Sequence, residues 1–360
     1  MKIEKIEVAA NKITLRKPFK IALGVITEVS NLTITVVTDT GEVGIGEATP
    51  EPLVTGETLE GCEAALNLLE TALIGEDPRQ LSRIHGLMNQ CMKGNGSAKA
   101  AIDMACYDLL GKSTGLPLYQ LLGGQDNQVE TDMTISIDTP EVMAQNAQQY
   151  VEQGFSALKV KVGLDEKDDI ERVKQIRAAV GSAIELRIDA NQGWQAKQAV
   201  KMIEQLQKYD IAFFEQPTQA SDVDGLSFVR ANVSQQIMAD EAAFIPEDAL
   251  SLIKKEAVDA VNIKLMKCGG IYPALQINSI CEAANIPCMV GCMAGETNIS
   301  IAAATHFVAA QKNVCFADLD ATFDLATLAY EGVVSTEKTP IIKLTKAAGL
   351  GIKPKEEGVL

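Results

Sequence analysis

Apolar and polar residues follow two different rhythms along this chain. In the first part, IEKIEVAANKITL and LTITVVTD alternate with period two, as antiparallel strands do, and GEVGIGEATP closes them with glycine punctuation. Helical spacing follows. Ser97 is placed as the N-cap of AKAAIDMACYDLLGK, whose apolar residues recur every three or four positions. Pro117 and the pair Gly123-Gly124 close this region, so a boundary is expected near residue 125, with an α+β unit over 1–125.

Beyond that point short apolar runs alternate with helical stretches. The runs are TDMTISI, ALKVKVG, ELRIDAN, IAFFEQP, QQIMADE, AVNIKLM, PCMVGCM and CFADLDA, spaced by helices such as DDIERVKQIRAAV and QAVKMIEQLQKY. Regular strand–helix alternation predicts parallel strands joined by right-handed crossovers. Eight such units over 126–338 predict an α/β chain with a (β/α)8-type TIM barrel. A doubly wound open sheet is the runner-up, but it would call for a Gly-rich phosphate loop after its first strand, and none is present. The segment from about 339 to 360 is rich in Lys, Gly and Pro and is expected to return to the N-terminal unit.

Composition narrows the function. The chain has 360 residues, 47% of them hydrophobic, and a net charge of −16 from 48 acids and 32 bases. No run of Lys and Arg exceeds two, so neither nucleic acid nor an anionic membrane is an expected partner. Eight cysteines contain no C-x-x-C pair, and there are only two histidines, His85 and His306, which argues against a zinc site. Cys62, Cys106 and Cys281 read as small core residues of a reducing compartment. With charges inside its opening apolar stretch, the chain shows no signal peptide or membrane span, and a cytoplasmic protein is expected. A symmetric homo-oligomer is the base-rate expectation.

The informative charges stand at the ends of apolar strands, where burial is costly unless they are paired or bound to metal. Lys159 and Lys161 end the second barrel strand, Asp189 the third, Glu215 the fourth, Asp240 the fifth, Lys264 the sixth, and Asp318 and Asp320 the eighth. From Lys161 to Asp189 is 28 residues, and the next three steps are 26, 25 and 24. One βα unit has about this length, so the charges fall together at the C-terminal mouth, where barrels of this kind build active sites. Alternation puts Lys159 with Lys161, Asp189 with Asn191, and Asp318 with Asp320 on shared faces. Asp189, Glu215 and Asp240, with no His or Cys beside them, make a hard-oxygen site suited to Mg2+, with Mn2+ as a substitute.

Lys161 and Lys264 lie on opposite strands with the acids between them. A substrate carboxylate held on the metal would present its α-carbon between two amines. One lysine could remove the α-proton and the other return it to the opposite face, while the metal and Lys159 stabilise the enediolate. Burial and nearby cations, the metal and Lys159 for Lys161 and the metal and Lys267 for Lys264, are expected to lower the pKa values of the two lysines.

These residues resemble the enolase superfamily, muconate-lactonizing subgroup. The motifs are KVK at 159–161, DANQGW at 189–194, EQP at 215–217, ADE at 239–241 and NIKLMKCGG at 262–270, with KPF at 17–19, GEA at 46–48 and LPLYQLLGG at 116–124 extending the likeness over nearly the whole chain. The resemblance implies a modified (β/α)7β barrel under an N-terminal α+β capping domain. Within the subgroup the chain looks like the dipeptide epimerases, typified by L-Ala-D/L-Glu epimerase, which implies a small-molecule dipeptide substrate. The eighth-strand acids, Asp318 and Asp320, match the pair that holds the dipeptide α-ammonium in that family. The family also implies substrate contacts from Thr134, Lys159 and Asn191, and from the segment Cys292, Met293 and Ala294, where this chain departs from the Ala-Glu enzymes.

A second departure bears on specificity. The Ala-Glu enzymes carry an arginine in the first capping loop that pairs with the glutamate side chain, and the aligned position here is Gly24. A buried carboxylate without that partner costs about 1–3 kcal/mol or more. With Phe19, Gly24 and Ile26 the cap is apolar, and Lys20 is the only cation nearby. A hydrophobic or aromatic second residue is therefore expected in place of Glu. The rivals on the same scaffold are N-acylamino acid racemase, o-succinylbenzoate synthase and muconate cycloisomerase, none of which needs an acidic pair for an ammonium. A sugar-acid dehydratase would place histidine at Lys264, and a non-enzymatic binding protein would not keep both lysines and all three acids.

Overall fold

The computed structural model describes residues 1–333 and 339–355. The segments 334–338 and 356–360, at the ends of the expected barrel and tail, lie outside the described residues.

The N-terminal part is a three-stranded antiparallel sheet backed by helices. Strands β1 (Ile3–Ile21), β2 (Gly24–Thr38) and β3 (Val43–Ala48) pair in chain order. Helices α1 (Leu59–Leu73), α2 (Leu81–Cys91), α3 (Gly96–Thr114) and α4 (Leu118–Leu121) follow. Leu32, Ile34 and Val36 of β2 alternate inward onto Leu66 and Leu69 of α1 and Ile102 and Ala105 of α3, closing a core of their own. The glycine-rich segment is a strand, not mere punctuation. A Cβ at Gly46 would stand 1.9 Å from the Ala101 carbonyl oxygen, and one at Gly44 2.2 Å from that of Ala105, so β3 lies directly on the α3 backbone. Ser97 is not the N-cap of α3. That position is Asn95, in a left-handed conformation, and Ser97 Oγ instead donates at 2.5 Å to Oε2 of Glu57, an acceptor from the segment before α1.

After the short β4 (Gln128–Glu130) comes the barrel. Its strands are β5 (Met133–Ile135), β6 (Ala157–Lys161), β7 (Glu185–Asp189), β8 (Ile211–Glu215), β9 (Gln236–Ala239), β10 (Ala260–Ile263), β11 (Cys288–Gly291) and β12 (Val314–Asp318), hydrogen-bonded in sequence order. Every apolar run singled out in the sequence forms one of them. Helices α5 (Pro140–Glu152), α6 (Glu166–Val180), α7 (Ala196–Leu206), α8 (Val223–Asn232) and α9 (Pro246–Lys254) fill the first crossovers. The short α10 (Leu265–Cys268) with α11 (Ile271–Ala283), and then α12 (Asn298–Ala310), fill the last two. The eighth strand is followed by a 3-10 turn at Ala321–Asp324, which gives the (β/α)7β form.

β12 and β5 are not joined by a strand ladder. The seam is closed by Asp132 N–H donating to the Ala317 carbonyl at 3.1 Å, Leu319 N–H to Thr131 Oγ1 at 2.8 Å and Thr134 N–H to Asp320 Oδ2 at 2.7 Å. The last described strands are β13 (Tyr330–Glu331), β14 (Ile341–Lys343) and β15 (Lys353–Pro354). β14 pairs with β4, and Leu350 N–H donates to Asp108 of α3 at 2.9 Å. All eight cysteines are free thiols. Among the described residues no helix is long and apolar enough to cross a membrane.

Candidate active site

The barrel strands are buried toward their C-terminal ends, so a charge there has protein on all sides but one. Lys159 and Lys161 on β6, Asp189 at the end of β7, Glu215 at the end of β8, Asp240 one residue past β9 and Lys264 one residue past β10 are all buried. One ligand oxygen from each of Asp189, Glu215 and Asp240 lies within 4.8 Å of the others. Lys161 Nζ stands 2.6 Å from Asp189 Oδ2, and Lys264 Nζ 2.7 Å from Asp240 Oδ2, so an amine flanks each end of the acidic row. Lys267 adds a second ammonium to Asp240 at 2.6 Å, and Asn262 Nδ2 donates to Glu215 Oε1 at 2.7 Å.

The three acids suit a hard divalent ion. Glu215 Oε2 and Asp240 Oδ2 are buried and accept no hydrogen bond; the ammonium groups beside them, Lys159 at 2.8 Å and Lys264 at 2.7 Å, make charge contacts without hydrogen-bond alignment. Carboxylate oxygens so disposed, with no softer ligand at hand, fit Mg2+ or Mn2+. Burial and the neighbouring Asp189 push Glu215 up to about 8. That mutual repulsion is what a cation would relieve.

Burial opposes the charge on Lys264, yet Asp240, Glu215 and Glu241 outweigh it and hold its pKa above the ordinary value. Lys159 is likewise raised well above its ordinary value: burial works against it, and Asp318, Glu215 and Asp189 prevail. The reason is number: the carboxylates outnumber the amines around them, so basicity can fall only when further positive charge arrives.

Above these groups sits a cavity of about 190 Å³. The sequence-derived residues Thr134, Lys159, Lys161, Asn191, Lys264, Cys292, Met293, Ala294, Asp318 and Asp320 reach it from the barrel, and Phe19, Gly24 and Ile26 from the cap. The metal-site acids lie beneath. Asn191 does not continue the alternation of β7, which ends at Asp189. The chain turns through left-handed Asn191 (φ 40°) and Gln192 (φ 67°), and Asn191 Nδ2 donates to Glu241 Oε1 at 3.2 Å.

Asp318 and Asp320 differ in a way alternation alone did not show. Asp318 is not remote from the triad: its Oδ2 lies 2.7 Å from Lys159 Nζ, which also contacts Glu215 and Asp189. Burial works against the Asp318 charge, but Lys159 and Lys161 hold it down to about 2. Asp320 makes no ion pair among the described residues, and burial with the adjacent Asp318 pushes it up to about 6.

Sequence reasoning did not single out Glu241 or Leu15, and covered Ile21, Leu53 and Val54 only as parts of the capping loops near 17–28 and 50–58; all five line the cavity. Glu241 was legible as the acid following Asp240; burial and Asp240 push it up to about 7. Lys20 lies 3.4 Å from Asp138 and does not line the cavity, so among the described residues no cation reaches it from the cap.

Two family descriptions match this chain: the mandelate racemase / muconate lactonizing enzyme N-terminal domain over residues 3–123, and the enolase C-terminal domain-like family over 142–358. The chain belongs to the enolase superfamily. Among superfamily relatives, a hydrophobic dipeptide epimerase from Enterococcus faecalis is 53% identical, with 98% of this chain and 99% of that protein covered. A crystal structure of dipeptide epimerase from Enterococcus faecalis, complexed with Mg and the dipeptide L-Leu-L-Tyr, superposes with a TM-score of 0.96 at 52% identity, covering 98% and 99% of the two chains. An L-Ala-D/L-Glu epimerase from Clostridium acetobutylicum is 42% identical, covering 89% of this chain and 90% of that one.

Proposed function

We propose that this enolase-superfamily protein is a Mg2+-dependent epimerase of dipeptides that inverts the α-carbon of the second residue, with hydrophobic or aromatic second residues favoured over Glu. The observation that carries the reading is the pair Lys161 and Lys264 at opposite ends of one carboxylate row, beneath a cavity whose cap side is apolar. The covered, 53% identical hydrophobic dipeptide epimerase and the L-Leu-L-Tyr complex support it.

In this reading Asp189, Glu215 and Asp240 hold the ion, which supplies electrostatic stabilisation to negative charge developing on a substrate carboxylate. Lys161 Nζ takes the α-proton from one face, and the electron pair of the broken C–H bond passes into the enolate form of the substrate. The Lys264 ammonium delivers a proton to the other face; from the opposite epimer the roles reverse. Lys159 adds a fixed positive charge from below. Asp320 accepts the substrate ammonium, with Asp318 beside it, and Thr134 and Asn191 orient the peptide. Phe19, Gly24 and Ile26, with Cys292, Met293 and Ala294, enclose the side chains. Val25 (62% exposed) and Leu53 (58% exposed) form an apolar lip at the mouth.

The cap closes a core of its own between Ile3 and Leu109, which supports dividing the chain near residue 125 into a cap, joined by the returning tail, and a barrel, although Ala100, Met104, Tyr107 and Leu118 pack into the barrel core. The free cysteines suit a cytoplasmic setting. An N-acylamino acid racemase is disfavoured by Asp320, a buried acid with no cation among the described residues and no use for an acylated amine.

The test is proton NMR in deuterium oxide with Mg2+ on a set of L,L-dipeptides. Loss of the second-residue α-proton signal with appearance of the L,D epimer, strongest for Tyr, Phe and Leu, supports the assignment. Conversion only of N-acylamino acids, or far better turnover of X-Glu than of X-Tyr, X-Phe or X-Leu, would overturn the substrate or its specificity.

A further inference from the structure

The loop after β11 forms one wall of the cavity, and its backbone is held from three directions. Within the loop, Glu296 folds back so that its Oε1 accepts the Met293 N–H at 2.7 Å. From β2 of the cap, fully buried Asn31 donates through Nδ2 to the Gly295 carbonyl at 3.0 Å, and its own Oδ1 accepts from Asn11 Nδ2 at 2.9 Å, which fixes the amide's direction. From β3, fully buried Glu47 accepts the Thr297 N–H at 2.8 Å and the hydroxyls of Thr297 and Ser300, at the start of α12. The fit is close: a Cβ at Gly295 would stand 2.9 Å from Thr49 Cγ2 and 3.1 Å from Val29 Cβ.

Glu47 is a buried acid whose partners are N–H and O–H donors, with no cation among them. A carboxylate left in such a place is costly unless those donors stay aimed at it. Its position therefore commits α12, and the loop leading into it, to one placement relative to the cap. The strand pair that carries Asn31 also carries Phe19, Val25 and Ile26 over the cavity.

We propose that Glu47 and Asn31 are positioning residues, which hold the Cys292–Glu296 wall against the bound dipeptide and couple its placement to that of the cap. The inference rests on the dipeptide reading for the identity of the ligand, but not for the clamp itself. Neither residue touches the cavity; each acts through the loop backbone.

The test compares Glu47→Gln and Asn31→Leu with the wild-type protein in three measurements: thermal unfolding, hydrogen–deuterium exchange of the 293–297 amides, and steady-state kinetics on a Leu-Tyr dipeptide with Mg2+. The expected result is a folded protein with exchange at those amides faster by about tenfold or more and KM raised by about ten- to a hundredfold, while kcat stays within about threefold. A purely structural role would lower the melting temperature without the local exchange change or the split between KM and kcat. Wild-type exchange and KM in both variants would overturn the proposal. If Glu47→Gln does not fold, Asn31→Leu carries the same comparison. A wild-type protein that turns over no dipeptide sinks the substrate reading alone, since amide exchange still decides the clamp.

Discussion

Lys159 and Asp318 form a 2.7 Å ion pair across the barrel mouth, and through it the eighth-strand acids are tied to the carboxylates of β7 and β8. Asp318 is thereby neutralised from below, and Asp320 is left as the acid facing the cavity without a cation.

That asymmetry predicts a pH effect. Asp320, pushed up to about 6, loses its charge as pH falls through that value, and with it its hold on a substrate ammonium. The kcat/KM for free-amine dipeptides should fall below about pH 6. Asp320→Asn should lower kcat/KM by about ten- to a hundredfold at neutral pH and remove the acid limb near 6. Inhibition by an N-acetylated dipeptide should change little in the variant; equal losses for both ligands would remove the ammonium assignment.

The two-lysine arrangement predicts complementary defects. Lys161→Ala and Lys264→Ala should each lower net epimerisation by at least about a hundredfold. Each should still exchange the α-proton of one epimer, and the two variants should prefer opposite ones. Proton NMR started from L,L and from L,D substrate reads this directly, and near-wild-type epimerisation by either variant refutes the mechanism.

Chelation should abolish turnover, with Mg2+ or Mn2+ restoring it. Glu215→Gln removes a ligand and relieves the crowding among the acids. It should weaken ion binding in calorimetry while leaving the melting temperature of the chelated protein equal to or above that of wild type. A lower melting temperature would mean that Glu215 is held chiefly by Lys159 and Asn262, not poised for a cation.

Gly24 faces the cap side of the cavity, where a Cβ would meet only Leu53 Cδ1 at 3.8 Å, though its φ of 157° is one a side chain adopts with some strain, so the test compares the ratio of substrates and not the absolute rate. Gly24→Arg should raise kcat/KM for X-Glu relative to X-Tyr, by about tenfold if a charge-assisted pair forms. An unchanged ratio would show that the second side chain lies elsewhere.

Gly46→Ala tests the cap. With the Ala101 carbonyl 1.9 Å from the added carbon, β3 must lift from α3, and unfolding experiments should show a loss of about 1–3 kcal/mol.

The barrel and its charged mouth were legible because the strands are apolar runs buried at their C-terminal ends, so a Lys or Asp there had no solvated surface to explain it. What stayed hidden depends on distant partners. Asn31 looks in sequence like any polar position of a half-exposed strand, and only a loop 264 residues away makes it a buried donor. The glycines of β3 read as turn residues because the helix backbone that excludes side chains there comes from another segment. The rise in Lys159 and Lys264 is hidden for a different reason: it needs the summed pull of carboxylates from several strands, which spacing along the chain does not add up. Asp318 and Asp320 were rightly placed together, yet spacing does not tell which one Lys159 reaches.

The barrel seam puts a limit on redesign. Asp320 Oδ2 accepts the Thr134 N–H that helps join the last strand to the first, so the acid proposed to hold the substrate amine is also a fastening of the scaffold. Evolving this protein toward substrates without a free amine would mean replacing a group the closed wall still uses. Such variants should first emerge as enzymes that have gained breadth and lost heat tolerance, and should recover the latter through second changes around Thr131 and Thr134.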